Sequence, residues 1–169
     1  MKPLLIVDGY NILGAWQDIA WHPDSLEEGR LRLQRQLEDY AGYTEQEVVL
    51  VFDGYQSGRK LRSEERFGHL MLIFTKQDET ADSYIERLVA QTPKYRQVRV
   101  ATSDGLEQSQ ILATGATRMT SRELLMEMKH IREKGMHAHR GTKTYETRIE
   151  SRLSPEQMEA LEKLRRGKV

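Results

Sequence analysis

Four carboxylates stand where chemistry would need them. Asp8-Gly9 follows the apolar run Leu4-Leu5-Ile6-Val7, Asp53-Gly54 follows Val48-Val49-Leu50-Val51-Phe52, and Asp104-Gly105 follows Val98-Arg99-Val100-Ala101 by way of Thr102-Ser103. Such short runs, apolar on successive residues and rich in β-branched side chains, have the character of strands buried on both faces of a parallel sheet. An Asp at the end of each places three acids on the carboxyl edge of the sheet, where open α/β folds bind ligands. The fourth acid, Asp82, follows Thr80 and Ala81. Thr80 reads as an N-cap and Asp82 falls in the first turn of the helix it opens. Singly, each acid has a bland reading, as a solvated turn residue or a partner of a helix dipole. Together they repel and stay ionised only beside a cation. Oxygen donors in a chain without Cys suit Mg²⁺ or Mn²⁺. Ions of this kind lower the pKa of a bound water and stabilise charge on the attacking and leaving oxygens of a phosphodiester. Asn11 adds a polar amide to the same rim.

The elements that must position these residues alternate. A short helical turn is expected from Gly14 to Ala20, and Pro23-Asp24-Ser25 opens a long helix to about Tyr40 that Gly42 ends. Strands are expected near 48–52 and 70–74, then a helix from 81 to about 90 with Ile85, Leu88 and Val89 inward. Pro93 breaks that helix, and a strand at 98–101 leads into a helix near 104–113. Thr117-Arg118-Met119 reads as a short strand. Ser121 then caps a helix to about Lys134 that turns Leu124, Leu125, Met128 and Ile131 inward. Alternating strands and helices argue an α/β fold with a mostly parallel sheet and helices on both faces.

Two segments depart from this rhythm. Residues 54–67 leave the sheet directly after Asp53 and carry Arg59, Lys60, Arg62 and Arg66 with Tyr55 and Phe67 near the ends. Basic loops with aromatic residues grip phosphates and stack on single-stranded bases. Residues 135–153 hold Arg140, Lys143, Tyr145 and Arg148; the alternation from Thr142 to Arg152 reads as an extended arm or edge strand suited to RNA contact. His137 and His139, without a third ligand nearby, read as surface residues rather than a metal site. The chain closes with Ser154-Pro155-Glu156-Gln157, an N-cap, a proline at the first helical position and a capping-box partner.

Taken in order, Ile6-Val7-Asp8-Gly9-Tyr10-Asn11, Val51-Phe52-Asp53-Gly54, Glu79-Thr80-Ala81-Asp82 and Thr102-Ser103-Asp104 resemble the NYN branch of PIN-like ribonucleases, and most closely its bacterial YacP-like members. The tail Ser151-Arg152-Leu153-Ser154-Pro155-Glu156 and Leu164-Arg165-Arg166-Gly167 resembles the same subgroup. The resemblance implies a PIN-like three-layer α/β/α fold and an endoribonuclease dependent on Mg²⁺ or Mn²⁺. It further implies action on mRNA in association with the ribosome. By position it makes Asp8, Asp82 and Asp104 the metal-holding acids and Asn11 their polar partner, with Asp53 a less uniform strand-end acid. Related NYN nucleases can carry another acid one helical turn beyond Asp104, where this chain has Gln108. Glu107 stands next to it but would point about 100° away on a helix, so the number of metals stays open. The expected organisation is a nuclease domain over 1–153 and a closing helix with a basic tail over 154–169.

Bulk composition frames these readings. The 169 residues carry no net charge, but residues 1–117 hold 13 Lys/Arg against 18 Asp/Glu, while residues 118–169 hold 13 against 8. An acidic body with a basic final third makes a dipole that draws phosphates past repelling carboxylates. The absence of Cys excludes disulfides, thiolate zinc sites and thiol nucleophiles. Met1-Lys2-Pro3 leads straight into a strand, so neither a signal peptide nor a membrane span is expected, and the expected compartment is the cytoplasm. No nucleotide cofactor is expected. Two other function classes compete with the nuclease. One is an RNA- or ribosome-binding module without catalysis. The other is a phosphotransferase of the haloacid-dehalogenase type, which needs a second acid where this chain has Tyr10.

Overall fold

The computed structural model describes residues 1–16, 26–57, 60–103 and 115–150, with 56–57 and 136–150 described as backbone alone. The chain divides into two compact units, the first spanning Met1–Ile131 and the second beginning at Arg132. The first unit contains a six-stranded sheet in the order β3-β4-β2-β1-β5-β6. Its strands are β1 (Leu4–Asp8), β2 (Glu47–Phe52), β3 (Ser63–Phe67), β4 (Leu70–Phe74), β5 (Val98–Ala101) and β6 (Thr117–Met119). Every pairing is parallel except β3 with β4. Four of the six strands are those read from the apolar runs, and β6 is the short strand expected at Thr117. The architecture is the expected α/β fold with a mostly parallel sheet.

Strand alternation builds two cores. Leu5, Val7, Leu50, Phe52, Leu72 and Phe74 point to one face of the sheet. There they meet α1 (Gly9–Ala15), α2 (Leu26–Thr44) and the first turns of α5 (Ser121–Glu150). Leu4, Ile6, Val51 and Ile73 point to the other face and meet α4 (Ala81–Gln91) through Ala81, Tyr84, Ile85 and Val89. β1 is buried at all five positions, because it pairs on both edges and is covered on both faces. Full burial of one such aliphatic side chain is worth about 1.5–3 kcal/mol.

The structure corrects several sequence expectations. α1 starts at Gly9, immediately after β1, rather than at Gly14. α2 runs through Gly42 to Thr44; an added Cβ at Gly42 would meet nothing, so this glycine neither turns the chain nor admits a neighbour. Residues 54–67 are not a loop throughout: α3 (Gly54–Ser57) and the edge strand β3 occupy most of the segment. The cap of α5 is Thr120, not Ser121. Thr120 Oγ1 accepts from the Glu123 backbone at 3.1 Å, and Glu123 Oε2 accepts from the Thr120 backbone at 2.6 Å, a reciprocal capping box. α5 continues past Lys134 to Glu150, so residues 142–150 are helical rather than an extended arm. Once a helix is nucleated each added residue gains a hydrogen bond, and this outweighs the weak strand character of the segment.

The expected helix opening at Pro23-Asp24-Ser25, the helix near 104–113 and the closing helix from Ser154 lie outside the described residues. Among the described residues, no helix is long and apolar enough to cross a membrane.

Candidate active site

The last residue of β1 is also the N-cap of α1. Asp8 Oδ1 accepts from the Asn11 backbone at 3.3 Å. The carboxylate therefore stands at the positive end of a helix, yet Asp8 is only 8% exposed. Gly9 makes this abrupt switch possible, because a Cβ there would lie 2.3 Å from the Phe52 ring. Phe52 fills that space and stacks on Phe74 at 5.4 Å, with the Tyr10 ring edge-on at 4.9 Å.

Asp53 and Asp82 reach the same cleft from other elements. Asp8, Tyr10, Asn11, Gly14, Asp53 and Asp82 all line it. Asp82 sits in the first turn of α4, whose cap is Thr80, as read from the sequence; Thr80 Oγ1 accepts from the Ser83 backbone at 3.2 Å. Burial pushes the Asp8 carboxyl up, from an ordinary 3.8 to about 6, against the Asn11 hydrogen bond that favours its charge. The negative charges of Asp82 and Asp53 push it further the same way, and Asp82 is near enough to share a proton with Asp8. The charged side chains that raise the Asp8 carboxyl, Asp82 and Asp53, are both acids.

Asp53 is committed differently. Its Oδ1 accepts from the Tyr55 backbone at 2.8 Å and its Oδ2 from the Ala81 backbone at 3.3 Å. One carboxylate thus ties the start of α3 to the start of α4, 28 residues on. Gly54 completes the joint: its N–H donates to Thr75 Oγ1 at 2.8 Å, and a Cβ there would lie 1.8 Å from the Thr75 carbonyl oxygen. The buried Thr75 hydroxyl in turn donates to the Glu79 carbonyl at 2.6 Å.

Asn11 is a junction rather than a free amide. Its Oδ1 accepts from the Ser103 backbone at 2.9 Å and from Ser121 Oγ at 2.6 Å. Ser103 Oγ and Ser121 Oγ are 3.0 Å apart. This side chain joins α1 to the end of β5 and to the first residue of α5. With its oxygen occupied, the amide has only N–H donors left to offer, which suits an anion rather than a metal.

Asp104, the third expected metal ligand, lies outside the described residues together with Glu107 and Gln108. Among the described residues, no three acid or His side chains form a metal cage by themselves.

The expected basic contacts scatter. Lys60 is exposed and stands three residues before β3, whose start pairs with Phe74 at the carboxyl edge of the sheet, and Arg59 lies outside the described residues. Arg62 is tied to Glu79 at 2.7 Å and covers the Tyr84 ring at 5.2 Å. Arg87 pairs with the same carboxylate and lies over the same ring. Burial works against the Glu79 charge, but its hydrogen bonds from Arg87 and Arg62 prevail and hold its carboxyl below the usual range. Arg66 and Phe67 fall at the opposite end of the sheet, because β3 runs antiparallel and places them across from Met71 and Leu70. Arg66 lies within electrostatic reach of Glu47, the first residue of β2, rather than of the acids. Arg140, Lys143 and Arg148 lie along α5, in the part described as backbone alone.

Sequence reading missed Ser121, Thr75 and Glu79 as supports of the site. The Thr-x-x-Glu spacing of Thr120 and Glu123 was the signal that moves the cap off Ser121 and frees its hydroxyl.

Comparison with known proteins places the chain in a family. The YacP-like NYN domain family matches residues 5–166. The YacP protein of Bacillus subtilis (strain 168) is 37% identical over 166 residues, 97% of each chain. The crystal structure of Rae1 (YacP) from Bacillus subtilis superposes with a TM-score of 0.73 at 37% identity, over 99% of this chain and 96% of that one. A point variant of that protein gives a TM-score of 0.72 at 36% identity, over 85% of each chain. The chain belongs to the YacP-like NYN domain family.

Proposed function

We propose that this protein is a metal-dependent endoribonuclease that cleaves mRNA in association with the ribosome. The observation that carries the reading is the convergence of Asp8, Asp53 and Asp82 on one cleft, with Asp8 buried and its carboxyl raised to about 6. A buried carboxylate with two further acids beside it calls for a cation.

The donor set fits Mg²⁺ or Mn²⁺. Asp8 and Asp82 offer hard oxygens, and the chain has no Cys to favour a softer ion. Asp8 and Asp82 would hold the metal, with Asp104 as a third ligand. A bound divalent ion would supply an activated water and stabilise charge on the phosphate.

The chain's own residues do the rest. Asp53 holds the start of α4 so that Asp82 faces Asp8. The N–H groups of the Asn11 amide orient a phosphate oxygen at the rim. Lys60 and the basic residues of α5, Arg140, Lys143 and Arg148, contact the RNA backbone, as does Arg59. A body with 18 acids and 13 bases over residues 1–117 holds free RNA weakly. A ribosome presenting the strand raises its effective concentration at the cleft. The reaction takes place in the cytoplasm, beside that partner.

The alternative is a non-catalytic RNA-binding module on the same fold. The deciding experiment is cleavage of mRNA, free and on translating ribosomes, with Mg²⁺ or Mn²⁺ and with chelator. Metal-dependent cutting that is faster on ribosomes supports the proposal. RNA binding with no cutting under any divalent ion supports the module.

A further inference from the structure

Tyr55 is 75% exposed. Exposure alone carries little, since Tyr43 and Tyr95 are exposed as well. Those two lie near the amino ends of β2 and β5, at the end of the sheet away from the acids. Tyr55 instead follows Asp53 by two residues, and its backbone N–H is held by that carboxylate at 2.8 Å. The preceding Gly54 is locked against Thr75. The backbone that bears this ring is therefore fixed to the joint that positions Asp82.

Among the described residues, the other aromatic side chains near the cleft or in this segment are occupied. Tyr10 packs on Phe52 and its hydroxyl accepts from Arg30 at 3.0 Å. Tyr84 is buried under Arg62 and Arg87. Phe67 packs against the core at the far end of β3.

We infer that Tyr55 is a stacking platform for an unpaired base next to the phosphate held at the acid cleft, so that the site takes single-stranded RNA. The inference rests on the nuclease reading for the identity of its ligand. Stacking needs an open base face. In a duplex both faces are covered by neighbours, whereas a single strand can turn one base onto a ring beside the cleft. The ring supplies this contact without adding charge, in a region where acids repel phosphate. Its phenol is not required, because the contact is made by the ring face.

The test uses the full-length Asp8→Asn protein and a short single-stranded RNA carrying 5-iodouridine, at low salt. Irradiation is expected to join the RNA to Tyr55. Replacing Tyr55 by Ala in the same protein should weaken binding of the single strand about 10-fold. Tyr55→Phe should restore it, and thermal melting should stay unchanged in both. Binding of duplex RNA should not respond to either change. Equal binding by the Ala variant, no measurable binding of the single strand, or an equal loss for duplex overturns the inference. If the single strand binds through Tyr55 yet the wild-type protein cuts no RNA with any divalent ion, the platform stands and the nuclease reading fails.

Discussion

β1 and β2 run side by side and each ends in Asp-Gly, but the two pairs sit at different depths. Asp8 is in register with Val51, so Asp53 lies two residues further along, beyond the strand pairing. Asp8 is buried, uses one oxygen on one backbone N–H, and leaves the rest of its carboxylate facing Asp82. Asp53 spends both oxygens on backbone N–H groups of two other elements. The glycines differ in the same way. Gly9 makes room for a side-chain ring, Gly54 for a backbone carbonyl. One motif leaves a buried carboxylate on the cleft and the other makes the joint that aims its neighbour. Identity of sequence does not fix the role; the depth of the strand end does.

The contrast is broken most severely at Asp8. Asp8→Asn should lower cleavage about 100-fold or more, the scale of removing one charge-stabilising group from an active site. The same change should stabilise the metal-free protein. A carboxyl raised from 3.8 to about 6 favours the fold fully below pH 4, and that contribution is lost as pH rises through 6. The loss amounts to about 3 kcal/mol. Asn keeps the cap oxygen and carries no charge, so urea melts at pH 4.5 and 7.5 should show the wild type weakening with pH and the variant far less.

Gly54→Ala comes next. Its Cβ would meet backbone that cannot rotate aside, and a loss of about 3 kcal/mol in unfolding free energy is expected. Gly9→Ala should lose less, about 1–2 kcal/mol, because the Phe52 ring can shift. An equal loss at both positions would erase the distinction between the two glycines.

Asp53→Ala removes two hydrogen bonds and should destabilise by about 2 kcal/mol, measured by thermal unfolding. Its cleavage should fall through misplacement of Asp82, by less than the loss at Asp8. The smallest effect concerns charge. Lys60→Glu should reduce the salt dependence of RNA binding, by about 0.7 in slope for each phosphate no longer neutralised. Arg66→Glu should leave it unchanged, because β3 carries Arg66 to the other end of the sheet. If the Arg66 change weakens RNA binding as much as the Lys60 change, the RNA path is not confined to the carboxyl edge.

What the sequence made legible follows from burial. β1, β2, β4 and β5 are covered on both faces and read as apolar runs, and Asp8, Asp53 and Asp82 could be placed on one edge; Asp104 lies outside the described residues. β3 could not be seen, because Ser63-Glu64-Glu65-Arg66-Phe67 pairs through its backbone on one side only and shows no apolar alternation. α1 was hidden because Asp-Gly reads locally as a turn, whereas the helix is fixed by a cap that is also a buried strand residue. The double duty of Asp53 was out of reach for another reason: one of its partners is the Ala81 N–H, brought to it only by the β2–β4 crossover. The pairing of Arg62 with Glu79, 17 residues on, was out of reach in the same way.

The most direct measurement compares cleavage of ribosome-bound mRNA by wild type, Asp8→Asn and Asp53→Asn, with Mg²⁺ or Mn²⁺ at physiological salt. The account predicts that Asp8→Asn binds the complex but does not cut it. Asp53→Asn, which keeps one acceptor oxygen, should retain a measurable part of the wild-type rate. Cutting by Asp8→Asn at the wild-type rate, or complete loss in Asp53→Asn with its fold and metal binding intact, would contradict the division of labour between the two aspartates.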